Sequence, residues 1–255
     1  MDVSNRPQEL VQANLENPKS TQGIFDLPCG YLASDGVLHT EVAIREMTGA
    51  EEDLLASTHM KPLKKYGELL ARCVTRLGTL TDKGQLSLAV KNLTVGDRIF
   101  LLFAIRRVTL GDEYPFNEEC PNEACKKMNL YTINLADLEV KKMPEPAKRV
   151  YDLNLPSGGV FRFRVSTGAD EERVDKFSGS EDAASLGILM RTELLNGEPP
   201  DLAKVKSMKW KDRQFIRKEW EKVEGGLDTG LDMQCPSCGA EFKRSVQVGG
   251  SFFFP

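Results

Sequence analysis

The sequence predicts an α+β protein made of two tandem copies of one unit, each comprising a strand, two helices and a cysteine pair. Three observations support this prediction: an ordered series of matches between the two halves, a strand followed by a capped helix in each half, and two closely spaced cysteine pairs. The 255 residues are 40% hydrophobic and 28% charged. A chain of this size and composition can bury the core of one large or two modest domains.

The internal repeat is the strongest of these observations. Residues 44–52 recur in similar form at 163–171, and both segments contain Thr-Gly-Ala followed by acidic residues. Further matches follow in the same order: Asp97-Arg98 with Asp212-Arg213, and Cys120-Pro121 with Cys235-Pro236. Matches that keep one order along the chain indicate a duplicated structural unit.

Each unit begins with a strand and the start of a helix. Strands are predicted at 42–45 and 160–165, and the second of these alternates apolar and polar side chains as a half-buried strand does. The pattern Thr-x-x-Glu at 48–51 forms a capping box, and Thr-x-x-Asp at 167–170 is a near variant of it. Helices are therefore expected to begin at both places.

A second helix follows in each unit and begins near Asp97 or Asp212. Residues 99–105 are apolar almost all round, which predicts a helix that is buried on most sides. Residues 215–223 carry several charges, which predicts a helix with one face in water. The first of these helices is expected at the centre of the chain, with a position under a partner subunit as the alternative.

Each unit closes with a cysteine pair and strand-like residues, at 130–133 in the first unit and 245–248 in the second. Residues 143–146, Met-Pro-Glu-Pro, form the predicted linker between the units. The linker places the division of the chain near its middle.

The predicted elements divide the chain into four parts. Residues 1–26 are polar and are expected to form a flexible arm or a segment that orders on a partner. Repeat unit 1 spans 27–142, repeat unit 2 spans 150–248, and an aromatic C-terminal tail spans 249–255. The N-terminus lacks the basic start and apolar stretch of a secretory signal, and no run of about 18 apolar residues predicts a membrane helix.

The cysteine pairs predict a metal site. Cys120 and Cys125 have C-x4-C spacing, and Cys235 and Cys238 have C-x2-C spacing, both within the range of structural zinc sites. Neither pair supplies four ligands alone, so one Zn²⁺ ion shared by both pairs in a zinc-ribbon-like site is the simplest arrangement. Paired cysteines without a secretory signal bind metal more often than they form disulfides, although disulfides and free thiols remain alternatives.

Three consecutive phenylalanines, Phe252, Phe253 and Phe254, stand just before the last residue, Pro255. These side chains cannot all point the same way in an extended strand. One hypothesis is that they dock on a partner protein, because buried aromatic side chains are typical anchors of interfaces. The alternative is that some of them pack on the chain's own core.

No catalytic motif is recognisable, and the chain is predicted to have no enzymatic activity and no small-molecule substrate. His39 and His59 lack a cysteine or carboxylate at a spacing typical of a catalytic triad. Cys29 and Cys73 are expected to be buried as small hydrophobic residues. The net charge of −4 makes nucleic acid an unlikely main partner, and the basic cluster at 204–217 is expected to be a solvated helix face. A zinc-ribbon module that binds nucleic acid is the alternative function.

The ordered motifs resemble those of tailed-phage baseplate proteins, in particular the T-even-type baseplate hub or hub-assembly family. The resemblance covers roughly residues 27 to 255, and it is carried by residues 45–53, Gly96-Asp97-Arg98, Tyr114-Pro115-Phe116, Cys120-Pro121, residues 235–239 and the terminal aromatic residues. It implies a structural or assembly component of a phage tail baseplate. Such a protein would lie in the virion tail, and in the host cytoplasm during assembly, with other tail or baseplate proteins as partners.

Overall fold

The computed structural model describes residues 22–177 and 179–254. Residues 1–21 of the predicted arm therefore lie outside the described residues. Residues 22–26 belong to the first strand, which corrects the predicted end of the arm at residue 26, because backbone pairing with the next strand begins at Gln22. None of the described helices combines the length and the apolar character needed to cross a membrane.

The described residues form helices and several small sheets, which confirms the α+β class. The first half contains an antiparallel sheet in the order β1-β2-β3 with helices on either side of β3 in sequence. Its strands are β1 (Gln22–Leu32), β2 (Leu38–Arg45) and β3 (Val74–Leu77). Its helices are α1 (Gly49–Ala56), α2 (Pro62–Cys73), α3 (Lys83–Asn92) and α4 (Val95–Leu110).

Two hairpins and a short two-stranded ladder lie outside the three-stranded sheets, one hairpin after the first half and the other after the second. The hairpin strands are β4 (Glu113–Glu119) with β5 (Met128–Asn134), and β11 (Gly230–Gln234) with β12 (Glu241–Ser245). A 3₁₀ turn, Leu135–Asp137, leads to β6 (Val140–Lys141), which pairs with β10 (Gly226–Leu227). The short helix α9 (Gly250–Phe253) ends the described chain.

The second half repeats the antiparallel order, with the sheet β7-β8-β9. Its strands are β7 (Val150–Asn154), β8 (Val160–Arg164) and β9 (Thr192–Leu195). Its helices are α5 (Gly168–Asp175), α6 (Ala183–Leu189), α7 (Leu202–Ser207) and α8 (Trp210–Val223).

Both predicted capping boxes are present, at 48–51 and at 167–170. In each box the carboxylate also accepts two hydrogen bonds from an arginine near the end of the preceding strand: Arg45 to Glu51 at 3.0 Å, and Arg164 to Asp170 at 2.6 Å. A paired guanidinium and carboxylate of this kind locks strand and helix together at a fixed angle. The two strand-to-helix corners therefore have the same local construction.

The predicted strand at 245–248 needs correction. Only Ser245 belongs to β12. The next residue, Val246, donates its N–H to the carbonyl of Thr229 and buries its side chain in the core, while the carbonyl of Val248 accepts a hydrogen bond from Tyr66. Packing against the first half therefore draws these residues away from the hairpin ladder.

Two clusters of buried side chains form the core, one centred on α4 and the other on β8 and α8. Every residue from 100 to 105 of α4 is buried, which confirms that this helix is enclosed on most sides. Helix α8 buries Ile216 and Trp220 but exposes Lys218 and Glu221, which confirms its single wet face. Both hairpins lie beside the larger of the two clusters, the one centred on α4.

Candidate metal centre

The four predicted ligands lie in the turns of the two hairpins. Cys120 follows β4 and Cys125 lies in the turn towards β5, where its N–H donates to the carbonyl of Asn122 at 2.8 Å. In the second hairpin, Gly239 closes the turn in a left-handed conformation, with φ of +75°, and donates its N–H to the carbonyl of Cys235 at 2.8 Å. These tight turns bring both sulfurs of each pair to one side of the backbone.

The four sulfurs converge. All four Sγ atoms lie within 4.8 Å of one another. Two of the separations join different hairpins: Cys120 to Cys238 at 3.7 Å and Cys125 to Cys235 at 3.9 Å. In a tetrahedral site with Zn–S bonds of about 2.3 Å, neighbouring sulfurs are separated by about 3.8 Å. The observed spacing therefore fits one ion bound by all four cysteines.

Amide side chains surround the sulfurs. Asn129 directs its Nδ2 towards the Sγ of Cys235 at 3.6 Å, and its Oδ1 accepts a hydrogen bond from the hydroxyl of Ser237 at 3.0 Å. Asn122 directs its Nδ2 towards the Sγ of Cys238 at 3.9 Å. Donors that face the ligand atoms favour the thiolate form and fix its orientation.

The thiols differ in acidity. Burial opposes the ionisation of Cys235, but the backbone N–H groups of Ser237 and Cys238, together with the neighbouring thiols, lower the pKa of Cys235 to about 6. Burial and hydrogen bonds within the cluster raise the pKa of Cys120 to about 12. Cys235 therefore ionises more readily than Cys120, and binding of a cation favours the thiolate form of the ligands.

The donor set limits the chemistry of the site. Four thiol ligands suit soft or borderline ions in tetrahedral geometry, and a site filled by four protein ligands keeps no position for a substrate. Among the described residues, this is the one group of three or more His, Cys, Asp or Glu side chains close enough to hold an ion. The arrangement therefore suits a structural site that joins the two hairpins.

Aromatic side chains lie between the cysteine cluster and the core, and the sequence did not identify them as part of the site. Phe116 on β4 stacks on Tyr131 of β5 at 5.8 Å, and Tyr131 meets the edge of Phe242 on β12 at 6.4 Å. Phe116 also stacks on Tyr114 at 5.5 Å. Alternating aromatic residues on β4 are the sequence signal that marks this inward face.

The C-terminal tail packs on the chain's own core. Phe252 is 0% exposed and Phe253 is also buried, which corrects the prediction that these two rings dock on a partner. The ring of Phe252 lies 4.7 Å from that of Phe103 and 5.5 Å from that of Tyr114. The reason is the helical turn of α9, which directs successive side chains about 100° apart. Phe254 is 39% exposed, and its role in docking stays a prediction.

A buried arginine donates a hydrogen bond to the C-terminal tail. Arg106 on α4 donates to the carbonyls of Phe252 at 2.9 Å, Gly111 at 3.1 Å and Glu113 at 3.1 Å. Its guanidinium carbon also lies 4.9 Å from the centre of the Tyr114 ring. Arg106 thus joins the end of α4, the start of the first cysteine hairpin and the C-terminal turn.

The other residues considered in the sequence lie away from the cysteine cluster. Cys29 and Cys73 are both buried, and burial raises their pKa values to about 11 and about 12. His39 is buried and stacks on Tyr31, with ring centres 6.2 Å apart, while His59 is exposed. Burial of the two thiols confirms their interpretation as small hydrophobic residues.

Comparison with known proteins identifies one family. Residues 31–190, more than half of the chain, match the family described as T4 bacteriophage base plate protein. No curated protein and no solved structure gives a significant match. The matched segment includes the first half apart from most of β1, the first cysteine hairpin and the beginning of the second half.

Proposed function

Because the chain belongs to the T4 bacteriophage base plate protein family, we propose that it is a structural or assembly component of the baseplate hub, stabilised by one zinc ion. Its partners are other phage tail proteins. It acts in the virion tail, and in the host cytoplasm while the tail assembles. The position in the hub rests on the resemblance of the ordered sequence motifs to the hub and hub-assembly family.

The convergence of the four cysteines is the observation that carries the proposed zinc site. The sulfur separations of 3.7 and 3.9 Å between the hairpins match the edges of a zinc tetrahedron and join hairpins that are far apart in sequence. An ion at this point closes a long loop, so binding of the metal is coupled to folding. The role of the ion is to hold the end of the second half against the first.

We also propose that the two halves arose by duplication of one unit. Both have an antiparallel three-stranded sheet, a capping box with an arginine partner, and a cysteine hairpin. The correspondence extends to buried aspartates: Asp97 accepts from the N–H of Cys29 at 2.8 Å, and Asp212 accepts from that of Ser157 at 3.0 Å. These shared details support a common origin more strongly than the element order alone.

The absence of enzymatic activity is part of the proposal. The family is one of baseplate proteins, and a four-cysteine site leaves no ligand position for a reacting molecule. A protein of this kind contributes binding surfaces and a rigid fold to a larger assembly.

The proposal is tested by mass spectrometry of purified phage particles and of tail assembly intermediates, combined with elemental analysis of the purified chain. The expected result is the chain in one or both fractions, with one equivalent of zinc per chain. Presence in intermediates alone would assign the assembly role. Absence from both fractions, or salt-dependent binding to nucleic acid instead, would contradict the baseplate function and favour the zinc-ribbon alternative.

A further inference from the structure

The start of α4 in the first half covers the start of α5 in the second half. The carbonyl of Leu93 accepts the N–H of Gly168 at 3.0 Å, and Val95 donates its N–H to the carbonyl of Ser166 at 3.2 Å. These two bonds join the loop before one helix to the loop before the other. They form a short antiparallel bridge between the two halves.

A buried arginine completes this contact. Arg98 on the first turn of α4 lies 3.6 Å from Glu171 and 3.5 Å from Glu172, both on α5. A Cβ atom on Gly168 would overlap the guanidinium of Arg98, so the two surfaces meet without space between them. The contact therefore combines backbone pairing, close packing and opposite charge.

The sequence matches assign a counterpart to each side of this contact. Asp97-Arg98 matches Asp212-Arg213, so the start of α8 corresponds to the start of α4. The shared Thr-Gly-Ala motif makes the start of α1 correspond to the start of α5. Each surface is thus present twice in the chain, but the contact between them forms once.

The second pair of surfaces is bare. Trp210, the first residue of α8, is 69% exposed. Gly49, the first residue of α1, is exposed, and no atom lies within 4 Å of the place that its Cβ would occupy. By contrast, the equivalent glycine of the covered surface, Gly168, is buried. One chain therefore leaves an unused half of the contact at the start of α8 and another at the start of α1.

The two bare surfaces have opposite charge. Around Trp210, the exposed cationic residues are Lys209, Lys211 and Lys218. At the start of α1, the exposed anionic residues are Glu46, Glu52 and Asp53. None of these three carboxylates makes a salt bridge within the described part of the chain. Opposite charges on facing surfaces favour their association and fix its register.

Individual residues also correspond. The counterpart of Arg98 is Arg213, which donates from Nη1 to the hydroxyl of Ser185 at 3.1 Å; each of the two arginines has one buried nitrogen without a hydrogen-bond partner. The counterparts of Glu171 and Glu172 are Glu52 and Asp53. Arg217 lies over the ring of Trp210, with its guanidinium carbon 5.8 Å from the ring centre. An exposed tryptophan supported by arginine has the composition of an interface hot spot.

We propose that the start of α8 in one chain docks on the start of α1 in a second copy of the same chain, and repeats between chains the contact that α4 makes with α5 within one chain. This inference rests on the proposed duplication. The contact joins two different surfaces, so it generates a ring if the rotation closes and a filament if it does not. A ring of copies would suit the centre of a baseplate.

Sedimentation velocity of the full-length zinc-loaded chain over a range of concentrations tests the proposal. The wild-type chain is expected to form species heavier than the monomer. Trp210→Ala, and separately the pair Glu52→Lys with Asp53→Lys, should each weaken association about tenfold or more. The matched controls are Leu88→Ala, at an apolar residue that is 62% exposed, and Glu139→Lys, at an exposed acidic residue.

Mixing the two defective chains gives the decisive result. Each keeps one intact half of the contact, so an equal mixture should form a one-to-one dimer and stop there. A monomeric wild-type chain, or a mixture that stays monomeric, would overturn the proposal. Circular dichroism and zinc content show whether each variant is folded. Because the assay uses the purified chain alone, failure here is distinguishable from absence of the protein from phage tails.

Discussion

Replacing Phe252 by alanine tests whether the C-terminal turn is part of the fold. The ring is fully buried among Phe103, Tyr114 and Phe253, with centre separations of 4.7 to 5.5 Å. The backbone carbonyl of Phe252 also accepts a hydrogen bond from the Nε of Arg106. The substitution would leave a cavity on α4, beside the strand that leads to the first cysteine hairpin.

The expected loss of stability follows from this burial. Removing a buried phenylalanine ring costs about 3–5 kcal/mol, which includes the lost transfer free energy and the cavity. For a chain of this size, each kcal/mol lowers Tm by roughly 2–4 °C, so Tm should fall by about 6–20 °C. The matched control is Phe254→Ala, because that ring is 39% exposed and its removal should change stability by less than about 1 kcal/mol.

Thermal and urea unfolding of both variants, each with its zinc content measured, provide the assay. The account predicts a large loss of stability for the change at Phe252 and little change for that at Phe254. Equal stability of the Phe252 variant and the wild type, together with weaker binding to tail proteins, would refute the packing argument. That outcome would instead support the original docking hypothesis for this ring.

Three further predictions follow from the same structure. Gly168→Ala should lower the free energy of unfolding by about 1–3 kcal/mol, because the added methyl group displaces the guanidinium of Arg98. Urea unfolding measures this change, and an unchanged free energy would show that the contact is loosely packed. The hydrogen-bonded guanidinium of Arg45 lowers the pKa of Glu51 to about 2, so this carboxylate contributes stability above its unfolded pKa of about 4.5 that is lost as pH falls through 2. Glu51→Gln should therefore flatten the dependence of stability on pH in that acid range, and an unchanged slope would argue against the ion pair. Removal of zinc by a chelator should lower Tm and increase protease cleavage near the hairpins, and an identical melting curve would show that the site adds no stability.

The cluster of four cysteines was predictable because its signal is local. Two short spacings identify Cys120, Cys125, Cys235 and Cys238 as candidate ligands, and two pairs need each other to reach four. Asn129 gave no comparable signal, since an asparagine on a strand next to a turn is common and its distance to Cys235 depends on how the hairpins meet. Spacing along the chain thus predicts ligands better than it predicts the residues around them.

Strand β1 shows why part of the fold was missed. Its sequence contains Pro28 and Gly30, which are unfavourable in a regular strand. The structure accommodates them where the register shifts between Asp26 and Tyr31, so the strand continues on both sides of an irregular segment. A single sequence does not indicate that β2 is available as a partner across this interruption.

The buried role of Arg106 was also beyond local reasoning. An arginine at the end of an apolar helix is ordinarily placed at the surface. Here it donates to three carbonyls, two that closely follow α4, at Gly111 and Glu113, and one that is distant in sequence, at Phe252. The hydrogen bond to Phe252 helps to hold the C-terminal turn on the chain's own core. The pattern of the terminal phenylalanines alone fits docking on a partner equally well.

Native mass spectrometry of the purified chain, before and after Cys125→Ser, tests the shared metal site most directly. The account predicts one zinc ion on the wild-type chain and a marked loss of zinc from the variant, while Cys73→Ala, at a buried cysteine outside the hairpins, keeps the ion. A wild-type chain without metal, or with a mass reduced by the hydrogens lost in disulfide formation, would contradict the account.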